Sequence, residues 1–97
     1  MPDIKLEETW GRLEAAADQI ADSEVLLRRN GGRFAYACTR NGHDLSLWAV
    51  ADSPRYCAQI DEVFSVRCTN ITVLLILLRM ACEHTGRWTG SEVWDPQ

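Results

Sequence analysis

Apolar positions along the first twenty residues recur with a helical period. Leu6, Trp10, Leu13, Ala17 and Ile20 are spaced 4, 3, 4 and 3 apart, which places them on one stripe of a helix over residues 4–21. Asp3, Glu7, Glu14 and Asp18 fall on the adjacent arc and give that helix an acidic ridge beside its apolar stripe.

From Glu24 the period changes to two. Phe34, Tyr36 and Cys38 share one face of a strand over Arg33–Thr39, and Leu45, Leu47 and Ala49 share one face of a strand over Asp44–Ala51. Asn41-Gly42 between them is a two-residue hairpin signal, because a type I′ turn needs φ > 0 at both positions. With those two residues as the loop, Cys38 opposes Leu45, Tyr36 opposes Leu47 and Phe34 opposes Ala49. Turn chemistry and alternation therefore select one register. Asn30-Gly31-Gly32 is a second turn, preceded by a strand over Glu24–Arg29 that brings Val25 and Leu27 onto the Phe34/Tyr36 face. The pattern predicts a three-stranded antiparallel meander; the competing reading extends the first helix through residues 23–29.

Ser53-Pro54 is an N-cap and first-turn pair and predicts a short helix over Pro54–Phe64 that buries Cys57, Ile60, Val63 and Phe64. Thr69 or Asn70 then caps a second helix to about His84, with Gly86 as its stop. Ile71–Leu78 taken alone also suits a buried strand. The predicted order is α-β-β-β-α-α, one α+β domain over residues 1–97.

This arrangement leaves more apolar surface than it covers. A helix over 71–84 is apolar nearly all round, and the sheet has a second apolar face in Leu26, Ala35, Ala37, Trp48 and Val50. Self-association through Leu74, Leu75, Leu77 and Leu78, or through Trp48 and Val50, is the expected remedy, making the protein a homodimer. In the competing monomer, the C-terminal tryptophans fold over the second sheet face. The alternation Trp88, Gly90, Glu92, Trp94 lets residues 87–97 form an ordered extended arm with both rings on one face.

Composition adds little beyond ordinary globularity, with 46% apolar and 25% charged residues in 97. The formal net charge of -4 argues against nonspecific phosphate binding by the whole surface. Charge is uneven, however. Residues 1–24 hold seven acids against two bases, whereas 25–55 hold five bases, all arginine, against two acids. Residues 1–8 lack a basic stretch followed by an apolar one, and the most apolar run, Ile71–Cys82, falls short of the roughly 20 residues that span a bilayer. A cytoplasmic protein without a membrane partner is expected.

Cys38, Cys57, Cys68 and Cys82 include no C-x-x-C pair, which predicts four buried free thiols rather than a metal site or disulfide. Asn70-Ile71-Thr72 matches a glycosylation acceptor by chance. No nucleophile elbow or phosphate-binding loop is present, and His43 is placed at an exposed hairpin tip. The reading is non-enzymatic, with no catalytic residues, metal or cofactor.

What remains is a small acidic binding protein, expected to regulate or inhibit a partner protein as a dimer. Acidic chains below a hundred residues with such an apolar surplus are common among small phage-encoded inhibitors and secretion chaperones. The partner-binding candidates are Asp3, Glu7, Glu14 and Asp18, which would dock onto a basic surface, together with Trp88 and Trp94. The alternative is nucleic-acid binding by the arginines of the hairpin ends, Arg28, Arg29, Arg33 and Arg40, with Tyr36 or Trp48 as a stacking platform.

Overall fold

The computed structural model describes residues 2–50 and 55–95, with backbone only at 2–6 and 30. The amphipathic stripe of the N-terminal segment forms α1 (Pro2–Ile20), which lays Leu13, Ala16, Ala17 and Ile20 into the core. Three strands follow: β1 (Leu26–Asn30), β2 (Arg33–Arg40) and β3 (His43–Val50). Both connecting turns depend on left-handed backbone, at Gly31 and Gly32 (φ 62° and 83°) and at Asn41 and Gly42 (φ 50° and 81°). Cys38 stands opposite Leu45 and Tyr36 opposite Leu47, while Leu27 pairs with Tyr36 on the same face.

The chain then departs from the expected course. Instead of a helix over Pro54–Phe64 it forms a hairpin, β4 (Arg55–Ile60) and β5 (Phe64–Cys68). Ser53 and Pro54 themselves lie outside the described residues. The spacing of Cys57, Ile60 and Phe64 imitates a helical stripe. Burial instead follows period two: Tyr56, Ala58 and Ile60 on β4, and Phe64, Val66 and Cys68 on β5, face inward. The turn between them has no glycine or asparagine to announce it. Asp61 and Glu62 both adopt positive φ, 52° and 68°, a conformation that costs about 1–2 kcal/mol per ordinary residue.

Helix α2 (Ile71–Cys82) begins at Asn70, whose Oδ1 accepts hydrogen bonds from the Thr72 and Val73 amides at 2.9 and 3.2 Å. A short last strand, β6 (Val93–Trp94), lies parallel to β5. The result is a six-stranded mixed sheet in the order β1-β2-β3-β4-β5-β6, not a three-stranded meander followed by two helices. It remains an α+β fold.

Both helices pack against one face of this sheet and against each other. Leu74, Leu75 and Leu78 are spent there: they sit in the core with Leu13, Leu45, Ile60, Phe64 and Val66. Three of the four leucines expected to join two copies are therefore buried within one, and Leu77 is half-buried against the same core. The extra β4–β5 hairpin supplies the apolar face that α2 needs, which removes the reason to expect a helical dimer contact. Ile76 and Met80 are the exposed apolar residues of α2.

Candidate binding surfaces

The acidic ridge of α1 runs beside an incomplete part of the covered sheet face. Trp10 reaches Tyr36 (ring centroids 5.6 Å apart), and the carboxylates of Glu14 and Asp18 lie close enough to Tyr36 to add to the effect of burial in raising its phenol pKa. Because α1 does not extend over β1, Leu27 and Phe34 are 57% and 50% exposed. Arg29 lies over the Phe34 ring at 5.0 Å. Leu27, Phe34 and Tyr36 thus form an apolar strip of the sheet beside the helix on which Glu14 and Asp18 stand, and this strip between α1 and β1 is termed the groove. Glu7 continues the row of carboxylates on the same helical arc. The side chain of Asp3 lies outside the described residues. On its far side the groove opens onto the edge of the sheet, since no other described strand pairs with the outer side of β1.

No described helix covers the opposite sheet face. Register places Arg28, Ala35, Trp48, Cys57 and Arg67 in one row across five strands, with Arg33, Val50 and Arg55 in the next. The four arginines expected to contact nucleic acid are consequently divided. Arg28 and Arg33 belong to this open face, whereas Arg29 lies on the helical side, and Arg40 donates from Nη1 to the Ile20 carbonyl at 2.9 Å. Tyr36 is likewise on the helical side, so Trp48 is the aromatic of the open face, with Val50 exposed beside it. Arg55 falls in the segment read as helix and Arg67 in the connection after it, where no alternation assigns a face.

Trp88 and Trp94 do not cover that face. Their rings meet the edge of Phe64 on the helical side, with centroids 4.4 and 4.7 Å away, and the Trp88 indole donates to the Ala81 carbonyl at 3.1 Å. They extend the core past the end of α2.

The densest polar constellation surrounds His43, which is buried at 2% exposure and not at an open hairpin tip. Its Nδ1 lies 2.7 Å from Asp61 Oδ2, and its Nε2 lies 2.7 Å from the His84 carbonyl oxygen. Both partners are acceptors, so the geometry favours the doubly protonated imidazolium, the form in which both ring nitrogens donate. Burial opposes that charge, but the hydrogen bonds to Asp61 and His84 outweigh it and raise the pKa of His43. Asp61 also accepts from the amides of Trp88 (2.9 Å) and Asp44 (3.0 Å). Burial alone would raise its pKa, yet these bonds and the one from His43 hold it below the usual carboxylate range. The cluster explains how Asp61 sustains its left-handed turn. With both ring nitrogens of His43 and both oxygens of Asp61 engaged, it has the chemistry of a structural clasp.

The four cysteines are buried and unbridged, and among the described residues no three His, Cys, Asp or Glu side chains gather as metal ligands. No described helix is long and apolar enough to cross a membrane. Comparison with protein-family models, curated proteins and solved structures finds no match for this chain.

Proposed function

We propose that this chain is a non-enzymatic protein-binding module, a regulator or inhibitor that grips an extended segment of its partner in the groove between α1 and β1. The observation that carries this reading is the juxtaposition of two large exposed apolar side chains, Leu27 and Phe34, with an unpaired strand edge and a row of carboxylates. Strand addition to an open edge supplies affinity through main-chain hydrogen bonds, while pockets for alternate side chains supply specificity. Here the partner segment would continue the sheet beside β1 and turn apolar residues onto Leu27 and Phe34. Basic residues of the same segment would face Glu7, Glu14 and Asp18, steering its approach.

A labelled peptide of alternating valine and lysine tests the groove directly by fluorescence anisotropy, with amide exchange of β1 as a second readout. The parent should bind and slow exchange in β1. Leu27→Asp should weaken binding about tenfold or more, because the contact would then desolvate an unpaired charge. Reversal of Glu7, Glu14 and Asp18 to Lys should slow association and flatten its salt dependence. Binding unchanged by either variant would reject the groove. The competing occupant is a second copy pairing through its own β1; a dimer in sedimentation that Leu27→Asp dissolves, with no peptide binding by the monomer, would assign the edge to it.

A further inference from the structure

The open sheet face has a chemistry of its own, opposite in charge to the groove. Arg33, Arg55 and Arg67 converge on a hollow of about 430 Å³ whose floor is Trp48, Val50 and Cys57. Among the described residues no carboxylate lines it. Among the described residues Arg28, Arg33 and Arg67 make no ion pair, and Arg55 alone meets one, Asp95 at 3.2 Å. The Arg33 guanidinium rests over the Trp48 ring, 4.8 Å from its centroid. Two buried donors, the Trp48 indole Nε1 and Arg55 Nε, have no hydrogen-bond partner among the described residues. A protein of net charge -4 thus concentrates unneutralised positive charge and spare donors around one aromatic ring.

From these features we infer that the open face binds single-stranded nucleic acid, with phosphates on the arginines and a base on Trp48. Row geometry supports a strand running across the sheet. At about 4.8 Å per β-strand, Arg28 and Arg67 stand roughly 19 Å apart with Trp48 midway. The positions between them are uncharged and mostly small: Ala35 and Cys57 in the row, Ser46, Gln59 and Ser65 in the next one out. Such a floor accepts a planar base and the backbone beside it, whereas an acidic polypeptide would meet the arginines but leave the ring without a stacking partner. A base can stack on the indole face that Arg33 now covers, once that exposed side chain swings to a phosphate. The acidic end of the same face, Asp44 and Glu62, bounds the track on the other side. This site is separate from the α1–β1 groove and does not depend on it.

A labelled oligothymidylate of twelve nucleotides is the probe, titrated at 50 and 200 mM salt with anisotropy and tryptophan emission as readouts. Three phosphate contacts on single-stranded nucleic acid predict a log–log salt slope near -2, so affinity should fall about twentyfold between these salts. Arg67→Ala and Arg28→Ala alter exposed side chains and should each reduce the slope by about 0.7 while leaving the fold intact. Trp48→Leu should weaken binding tenfold or more and abolish the quenching, and Trp48→Phe should restore part of the affinity. The inference is overturned if no binding occurs at 50 mM salt, or if the arginine and Trp48 variants bind like the parent. It is equally overturned if a polyglutamate of equal charge binds as tightly, which would make the face a docking site for acidic protein.

Discussion

Removing the carboxylate at the centre of the His43 clasp should nearly unfold the protein, and the structure says why. Asp61 has no exposed side-chain surface and satisfies His43 at 2.7 Å, the Trp88 amide and the Asp44 amide at once. Asp61→Ala strands a buried imidazolium and two partly buried amides, and breaking a buried pair from one side costs about 3–5 kcal/mol. A domain of this size has about 5–10 kcal/mol in total. Asp61→Asn keeps the left-handed preference and one acceptor oxygen but loses the charge, so its cost should be smaller, about 2–3 kcal/mol. The pH dependence has two limbs. His43 has a raised pKa when folded, so its contribution is complete below the unfolded value of about 6.5 and fades as pH climbs through the folded one. Asp61 has a lowered pKa, so its contribution is complete above about 4 and fades as pH falls through the folded value. Stability should therefore peak between about pH 4 and 6.5. Urea melts from pH 4 to 9, run on the parent and on His43→Gln, measure the alkaline limb; nitrogen-resolved NMR at pH 6 reports the ring protons. A neutral His43 ring at pH 6, or an alkaline limb equally steep in His43→Gln, would refute the reasoning.

Three further outcomes follow from the packing. Truncation after Gly86 removes Trp88 and Trp94 from Phe64 and one amide from Asp61, and should cost about 3–5 kcal/mol in thermal melting; an unchanged melt would mean the arm adds nothing. Burial pushes the thiols of Cys38 and Cys82 up to about 11, so at pH 8 the folded protein should alkylate them slowly, while all four cysteines react once unfolded. Leu78→Ala should cost about 2–5 kcal/mol without altering the sedimenting mass, since that side chain is buried within a single copy.

Much of the architecture is legible in the order of residues. The stripe of α1, the Asn41-Gly42 and Gly31-Gly32 turns and the Asn70 cap each act over a few residues, and each appears in the structure at its place. The β4–β5 hairpin does not announce itself in that way. Its apolar residues fit two periods, and its turn is held by His43, Asp44 and Trp88, which lie 17 to 27 residues away from Asp61. The acidic ridge was likewise legible from spacing, but the apolar groove beside it arises because α1 stops short of β1.

Local periodicity is a property of neighbouring residues, so the sequence determined which side chains share a face, where two turns fall and where both helices begin. It offered two apolar sheet faces without ranking them. Only the tertiary structure decided that both helices cover the Leu45/Leu47 face, that α2 spends Leu74, Leu75 and Leu78 there, and that the Trp48 face stays bare with its arginines gathered round it. The physical reason lies in β4 and β5. Adding them widened one face enough to bury two helices, and it brought Arg55 and Arg67 across the sheet to a tryptophan that adjacent sequence could never have placed beside them.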